Sequence, residues 1–174
     1  MSNYNIKFLP AIHYLDKENF PTKNGIYLVF VKKYNGTSDD VLYVPLYLGK
    51  VCRDDKGGGI KQRIHEHLND IEDKIYKKIN DFKFLPKDSN GIITAPGTKE
   101  NVGLSPAVYI TTYTLLYDKD IEKVEAALIF KNSKQLVLNE KNTESYNGED
   151  ITINIQGATY GLKNQISLKK GDKS

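Results

Sequence analysis

Ile60, Ile64, Leu68, Ile71, Ile75 and Ile79 recur at steps of three and four residues. An α-helix brings such positions onto one face, because its period of 3.6 residues returns every third or fourth side chain to the same side. The stripe therefore predicts an amphipathic helix near 60–79, whose apolar face needs a partner surface to cover it. Strands are the available partners. Gly25-Ile-Tyr-Leu-Val-Phe-Val31 is a short apolar run rich in β-branched and aromatic residues, as expected of a strand covered on both faces. A second apolar run, Val41 to Val51, contains Pro45, which cannot donate to a ladder and so demands a bulge, an edge or a break. Its firm part is expected from Leu46 to Cys52. Ala107 to Tyr117 is almost wholly β-branched or aromatic and reads as a third strand.

The connections follow from turn chemistry. Residues 1–24 alternate short apolar and polar pieces, end at Pro21-Thr22-Lys23-Asn24, and read as a leader into the core. Asn35-Gly36 and Asp39-Asp40 supply a turn. Arg53 to Gly59, with three consecutive glycines, reads as a flexible loop, since glycine orders at high entropic cost. Residues 83–106, punctuated by Pro86, Gly91, Pro96, Gly97, Gly103 and Pro106, read as a long excursion. Asp118 or Asp120 can cap a second helix running to about Asn132, with Glu122 favourable near its positive end. Ile151-Thr-Ile-Asn-Ile155 is a possible last strand before a polar tail bearing Lys163, Lys169, Lys170 and Lys173. The expected fold class is α+β, a small mixed central β-sheet flanked by helices near 60–79 and 119–132, with loop insertions.

At 174 residues the chain fits one domain, 1–174, with a core at about 25–142 and a C-terminal extension over 143–174. Hydrophobic residues at 39% and charged residues at 27% are enough to build a core without the bias that marks disorder. No apolar stretch approaches the roughly 20 residues that span a bilayer, and the N-terminus lacks a signal pattern, so the expectation is no membrane partner and a cytoplasmic location. The single Cys52 excludes an intramolecular disulfide and a thiolate-built zinc site. A net charge of +3 permits polyanion binding without requiring it.

Three placements carry chemistry. Glu125 has Ile121 four residues before it and Leu128 and Ile129 after it, which puts a carboxylate on the apolar face of the second helix. Such a carboxylate costs free energy unless it is paired, hydrogen-bonded or bound to a cation. It is either functional or part of a structural ion pair with a lysine such as Lys50. Arg63 and His67 stand four apart beside the isoleucine stripe, where a guanidinium next to an imidazole suits a phosphate and a solvated flank is the plain alternative. His65 points elsewhere. Tyr27 and Tyr47 lie in Gly25-Ile26-Tyr27 and Tyr47-Leu48-Gly49, each unremarkable alone, since a strand tyrosine usually belongs to the core.

Their order along the chain says more than each does separately. A Gly-Ile-Tyr strand, a Tyr-Leu-Gly strand followed by Lys50, an Arg63/His67 helix, a third strand, a Glu125 helix and then Asn139 together resemble the GIY-YIG nuclease superfamily over about Gly25 to Asn139. The second motif has leucine where isoleucine is usual, and the segments 28–46 and 50–62 exceed the common spacings. The resemblance implies that Tyr27 and Tyr47 lie side by side at an active site, that Arg63 contacts the scissile phosphate, and that Glu125 holds a metal. Asn139 would fix local backbone or phosphate contacts, with Asn142 a weaker candidate for that role. Lys50 corresponds to a lysine of the repair-nuclease branch, and His67 to a position several branches fill with histidine.

These residues suit hydrolysis of a nucleic-acid phosphodiester, DNA being favoured, by a one-metal mechanism. One carboxylate in an acid-poor set fits a single hydrated Mg²⁺ or Mn²⁺ better than a two-metal clamp. Arg63 and Lys50 would carry phosphate charge, while Tyr27 or His67 would orient and deprotonate the water, the resemblance favouring Tyr27. The pairs Asp39-Asp40 and Asp54-Asp55 lie in turn-like loops. One active site cuts one strand at a time, so double-strand cleavage would need a homodimer or successive nicks. The alternative is a catalytically silent GIY-YIG-like module for nucleic-acid binding or protein interaction.

Overall fold

The computed structural model describes residues 1–14, 16–34, 41–52, 57–67, 108–136 and 138–173. The expected turns within 35–40, the Arg53–Lys56 stretch with Asp54-Asp55, the second half of the 60–79 helix, the excursion at 83–106 and the start of the third strand at Ala107 lie outside them.

Among the described residues the protein is α+β. A four-stranded sheet has the order β2-β5-β3-β4, where β2 is Ile12–His13, β3 Gly25–Tyr34, β4 Val41–Val51 and β5 Val108–Tyr113. Every pairing in it is antiparallel. A mixed central sheet was the expectation, and the mixed pairing occurs instead in a second sheet. There β1, Ser2–Ile6, runs parallel to β7, Ile151–Ile155, which pairs antiparallel with β8, Gln165–Leu168. A small ladder joins β6, Ser145–Tyr146, to β9, Asp172–Lys173. The opening residues are thus a strand rather than a leader, and the segment read as a polar tail carries two strands. The first was not legible locally because its parallel partner lies far away in sequence, and the tail strands were not because they are only four and two residues long.

Pro45 acts as its chemistry requires. The β3–β4 register shifts between Val29 and Phe30, so that Val29 faces Tyr47 and Phe30 faces Pro45, leaving Leu46 as the extra residue of a bulge. Among the described residues β4 is also at one edge of the sheet, β2 being at the other. The free side of β4 is partly closed by residues 138–139, where the Leu138 N–H donates to the Leu46 carbonyl at 3.0 Å.

Alternation along β3 divides the core into two clusters. Ile26, Leu28 and Phe30 face helix α2, Asp118–Lys131, and pack with Ile121, Val124 and Leu128 and with Ile151, Ile153 and Ile166 of the second sheet. Tyr27, Val29 and Val31 face the other way, toward Ile60 and Ile64 of helix α1, residues 59–67, and toward Tyr14 and Phe20. Burying an isoleucine or leucine fully contributes roughly 1.5–3 kcal/mol, so Ile60 and Ile64, both fully buried, fix α1 against the sheet. The start of α1 is closed by backbone: Ile60 N–H donates to the Lys23 carbonyl at 3.0 Å and Lys61 N–H to the Pro21 carbonyl at 2.8 Å.

The N-cap of α2 is Tyr117, without a side-chain capping bond, and not Asp118 or Asp120 as expected. Both aspartates sit in the first turn, where their charge suits the helix dipole. Asp120 is committed elsewhere, accepting from the Tyr4 hydroxyl at 2.8 Å and tying β1 to the helix. At the other end buried Asn132 donates to the Leu128 carbonyl at 2.8 Å and accepts from Lys163 N–H at 2.8 Å. Its amide anchors the C-terminal segment to α2.

Candidate active site

Tyr27 on β3 faces Gly49 on β4, and Tyr47 lies two residues diagonally across. Such diagonal neighbours on one face of an antiparallel pair are within reach of aromatic side chains. The two rings are 6.1 Å apart, centroid to centroid, at an interplanar angle of 46°. The glycine after Tyr47-Leu48 has a steric reason: a Cβ at Gly49 would lie 2.5 Å from Tyr27 Cζ and 2.6 Å from its hydroxyl oxygen. Gly25 has one too, since with φ at +155° its backbone lies so close to the Tyr113 carbonyl that a side chain would collide with it.

Tyr27 is 1% exposed and Tyr47 partly buried. The Tyr27 hydroxyl donates to Tyr47 and accepts from the Arg63 guanidinium. Burial is the largest influence on Tyr27, reinforced by Tyr47 and opposed by Arg63, and it pushes the phenol far above its ordinary value. Tyr47 is also raised, first by burial and then by Glu125, against the lowering effects of the Tyr27 hydrogen bond and of Arg63.

Beside this pair lies a cavity of about 500 Å³. Tyr47, Lys50, Arg63, Glu122, Glu125, Asn139, Lys141 and Asn142 are among its lining. One wall is β4, a second is α1 through Arg63, a third is α2, and the fourth is the segment after Leu138. The site therefore sits at the β4 edge of the sheet, where helices covering opposite faces can both reach it.

Glu125 is partly buried, its side chain 13% exposed, with its Oε2 3.4 Å from Lys50 Nζ. Burial raises this carboxyl above the ordinary range and Glu122 adds to the rise, while Lys50 and Lys141 lower it without cancelling it. Lys50 is shared: its Nζ is 2.6 Å from Glu122 Oε1. Burial works against the Lys50 charge, but the two glutamates outweigh it and the ammonium is held above its usual value. Glu122, 78% exposed, is lowered by Lys50.

Asn139 is a brace. The Leu48 N–H donates to its Oδ1 at 2.9 Å and its Nδ2 donates to the Leu48 carbonyl at 2.8 Å, so one side chain satisfies both backbone groups of a β4 residue. Of the two roles considered for Asn139, backbone fixation is the one the geometry displays. Asn142 lines the cavity with φ at +59°.

Tyr47, Lys50, Arg63, Glu125 and Asn139 thus converge on one cavity, with Tyr27 beneath it. His67, one turn beyond Arg63 on α1, is partly buried and is not among the described residues that line it. His65 is exposed. Sequence reasoning missed Glu122 and Lys141 as site residues. Glu122 was detectable as the residue one turn before Glu125 on the same helix face; Lys141, two residues past Asn139, carries no signal of its own.

A hydrated divalent cation fits this donor set. Mg²⁺ keeps most of its waters and is commonly held by one or two carboxylates together with substrate phosphate. Glu125 already meets a positive charge, that of Lys50, in a cavity with room for water and a phosphate. Among the described residues no cluster of three or more His, Cys, Asp or Glu is placed to ligate a metal. Compared with protein-family models, with curated proteins and with solved structures, the chain matches none. No helix among the described residues is long and apolar enough to cross a membrane.

Proposed function

We propose that the protein is a metal-dependent endonuclease of the GIY-YIG kind, hydrolysing a nucleic-acid phosphodiester, DNA by preference, with one Mg²⁺ or Mn²⁺ at Glu125. The observation that carries this reading is the convergence of Tyr47 and Lys50 from β4, Arg63 from α1 and Glu125 from α2 on one cavity, with Tyr27 packed under Tyr47. Scattered surface residues have no reason to converge in this way.

Each group has a task that its surroundings suit. Arg63 presents a permanently charged donor fork to the phosphate, and Lys50 adds a compact charge opposite it. A cation bound by Glu125 would neutralise charge developing on the leaving oxygen. Tyr27 is too deeply buried, and its phenol too reluctant to ionise, to take a proton from water. Its hydroxyl instead directs Tyr47, which does reach the cavity. Tyr47 then orients the attacking water; burial holds its phenol above the ordinary value too, and the Tyr27 hydrogen bond and Arg63 counter part of that rise.

One observation favours a second reading, a catalytically silent binding module: Lys50 already pairs with Glu125. Incubating purified protein with supercoiled plasmid in Mg²⁺ separates the two. Nicking that disappears with EDTA supports the nuclease, and binding without nicking supports the module.

A further inference from the structure

The Lys50 ammonium is placed unequally between two carboxylates, 2.6 Å from exposed Glu122 and 3.4 Å from partly buried Glu125. The glutamates lie three residues apart on α2 and hence on one helix face. Lys50 comes from β4, on the adjoining wall of the cavity.

This asymmetry matters if Glu125 takes a cation. A lysine seated squarely on Glu125 would compete with that cation, since a carboxylate satisfied by an ammonium gains less from a metal. A lysine with no second partner would be so seated, because leaving Glu125 would return each charge unpaired to a partly buried wall. Glu122 supplies the second partner. We infer that Glu122 is a positioning residue that draws the Lys50 ammonium aside and leaves Glu125 open to the divalent cation. Glu122 does not itself ligate the metal in this arrangement; its effect on metal affinity passes through Lys50. The inference rests on the nuclease reading only for Glu125 as the cation's ligand.

Acting through Lys50 has a consequence that acting directly lacks. Without Lys50, Glu122 has nothing to hold. Free Mn²⁺ measured by electron paramagnetic resonance during titration of wild type, Glu122→Gln, Lys50→Met and the double variant forms a cycle that isolates the coupling. Thermal melts of all four check folding. Lys50→Met is expected to bind Mn²⁺ more tightly than wild type, having lost its competitor. Glu122→Gln is expected to weaken Mn²⁺ binding by about two- to fivefold, the scale of an exposed ion pair, when Lys50 is present. In the Lys50→Met background the same change is expected to alter binding by less than about 1.5-fold. Equal weakening in both backgrounds would overturn the inference alone, by making Glu122 a direct ligand or a simple source of negative field. If wild type and Glu125→Gln bind Mn²⁺ equally, the cation is not at Glu125, and the inference falls together with the metal assignment beneath it.

Discussion

The ring of Tyr27 lies directly over Gly49 on the neighbouring strand, close enough that a single added methyl group would overlap it. The glycine of the Tyr-Leu-Gly motif is the space into which the tyrosine of the Gly-Ile-Tyr motif packs. Gly49→Ala must displace Tyr27, and with it the hydroxyl that holds Tyr47 and Arg63 together. Overpacking of this kind costs about 1–3 kcal/mol. Urea denaturation should show that loss, and cleavage measured well below the melting temperature should fall further than stability alone explains.

Tyr47 and Tyr27 have separable roles. Tyr47→Phe removes the hydroxyl that reaches the cavity and is expected to slow single-turnover cleavage by about a hundredfold or more, the scale of losing a general base. Tyr27→Phe removes only the buried donor, so it should cost less and shift the acidic limb of the pH–rate profile upward, Tyr47 having lost a hydrogen bond that eases its ionisation. His67→Ala should be the mildest of the three. A Tyr27→Phe enzyme that is inactive beside a near-normal Tyr47→Phe enzyme would exchange the assignments.

Glu125 should weaken the metal-free protein at neutral pH. Its folded-state value is raised, chiefly by burial, so the folded state binds a proton more readily than the unfolded state. Its charged form therefore opposes folding above the folded value, and this cost disappears as the pH falls below the ordinary carboxylate value. In EDTA, Glu125→Gln should melt above wild type at pH 8, with the difference closing toward pH 4. A variant that melts lower at pH 8 would mean that pairing with Lys50 outweighs burial.

Asn139 should act on stability rather than on phosphate. Asn139→Ala leaves the Leu48 N–H and carbonyl without their partners, at a cost of about 1–3 kcal/mol. Fluorescence anisotropy of labelled DNA in Ca²⁺, at a temperature where the variant remains folded, should show affinity within about twofold of wild type. A loss of tenfold or more would assign the amide to the phosphate instead.

What the sequence made legible follows from the range over which each signal acts. The stripe through Ile60 and Ile64, the β-branched run at Val29 and Val31 and the demand of Pro45 for a bulge are local, and the described residues display all three. The adjacency of Tyr27 and Tyr47 was implied by the resemblance, and the β3–β4 register, with Tyr27 opposite Gly49, brings the two rings together. The parallel pairing of Ser2–Ile6 with Ile151–Ile155 depends on distant residues whose alternation is too short to identify a partner. Glu122 resembled an ordinary exposed residue in a helix's first turns, and only its distance to Lys50 gives it a role. The depth of Tyr27 was likewise invisible: a tyrosine reads the same in sequence whether its hydroxyl meets water or, as here, another tyrosine and an arginine.

The proposed nuclease has Glu125 holding the cation on which cleavage depends. Glu125→Gln preserves volume and hydrogen-bonding capacity while removing the charge, so it tests that role with least disturbance to packing. The measurement is single-turnover nicking of supercoiled plasmid in Mg²⁺ by wild type and Glu125→Gln, with both proteins confirmed folded by thermal melting and both shown to bind DNA. The expected result is nicking by wild type that EDTA abolishes, and no nicking by the variant. Cleavage by the variant within a few-fold of wild type, or none by either protein, would contradict the proposal.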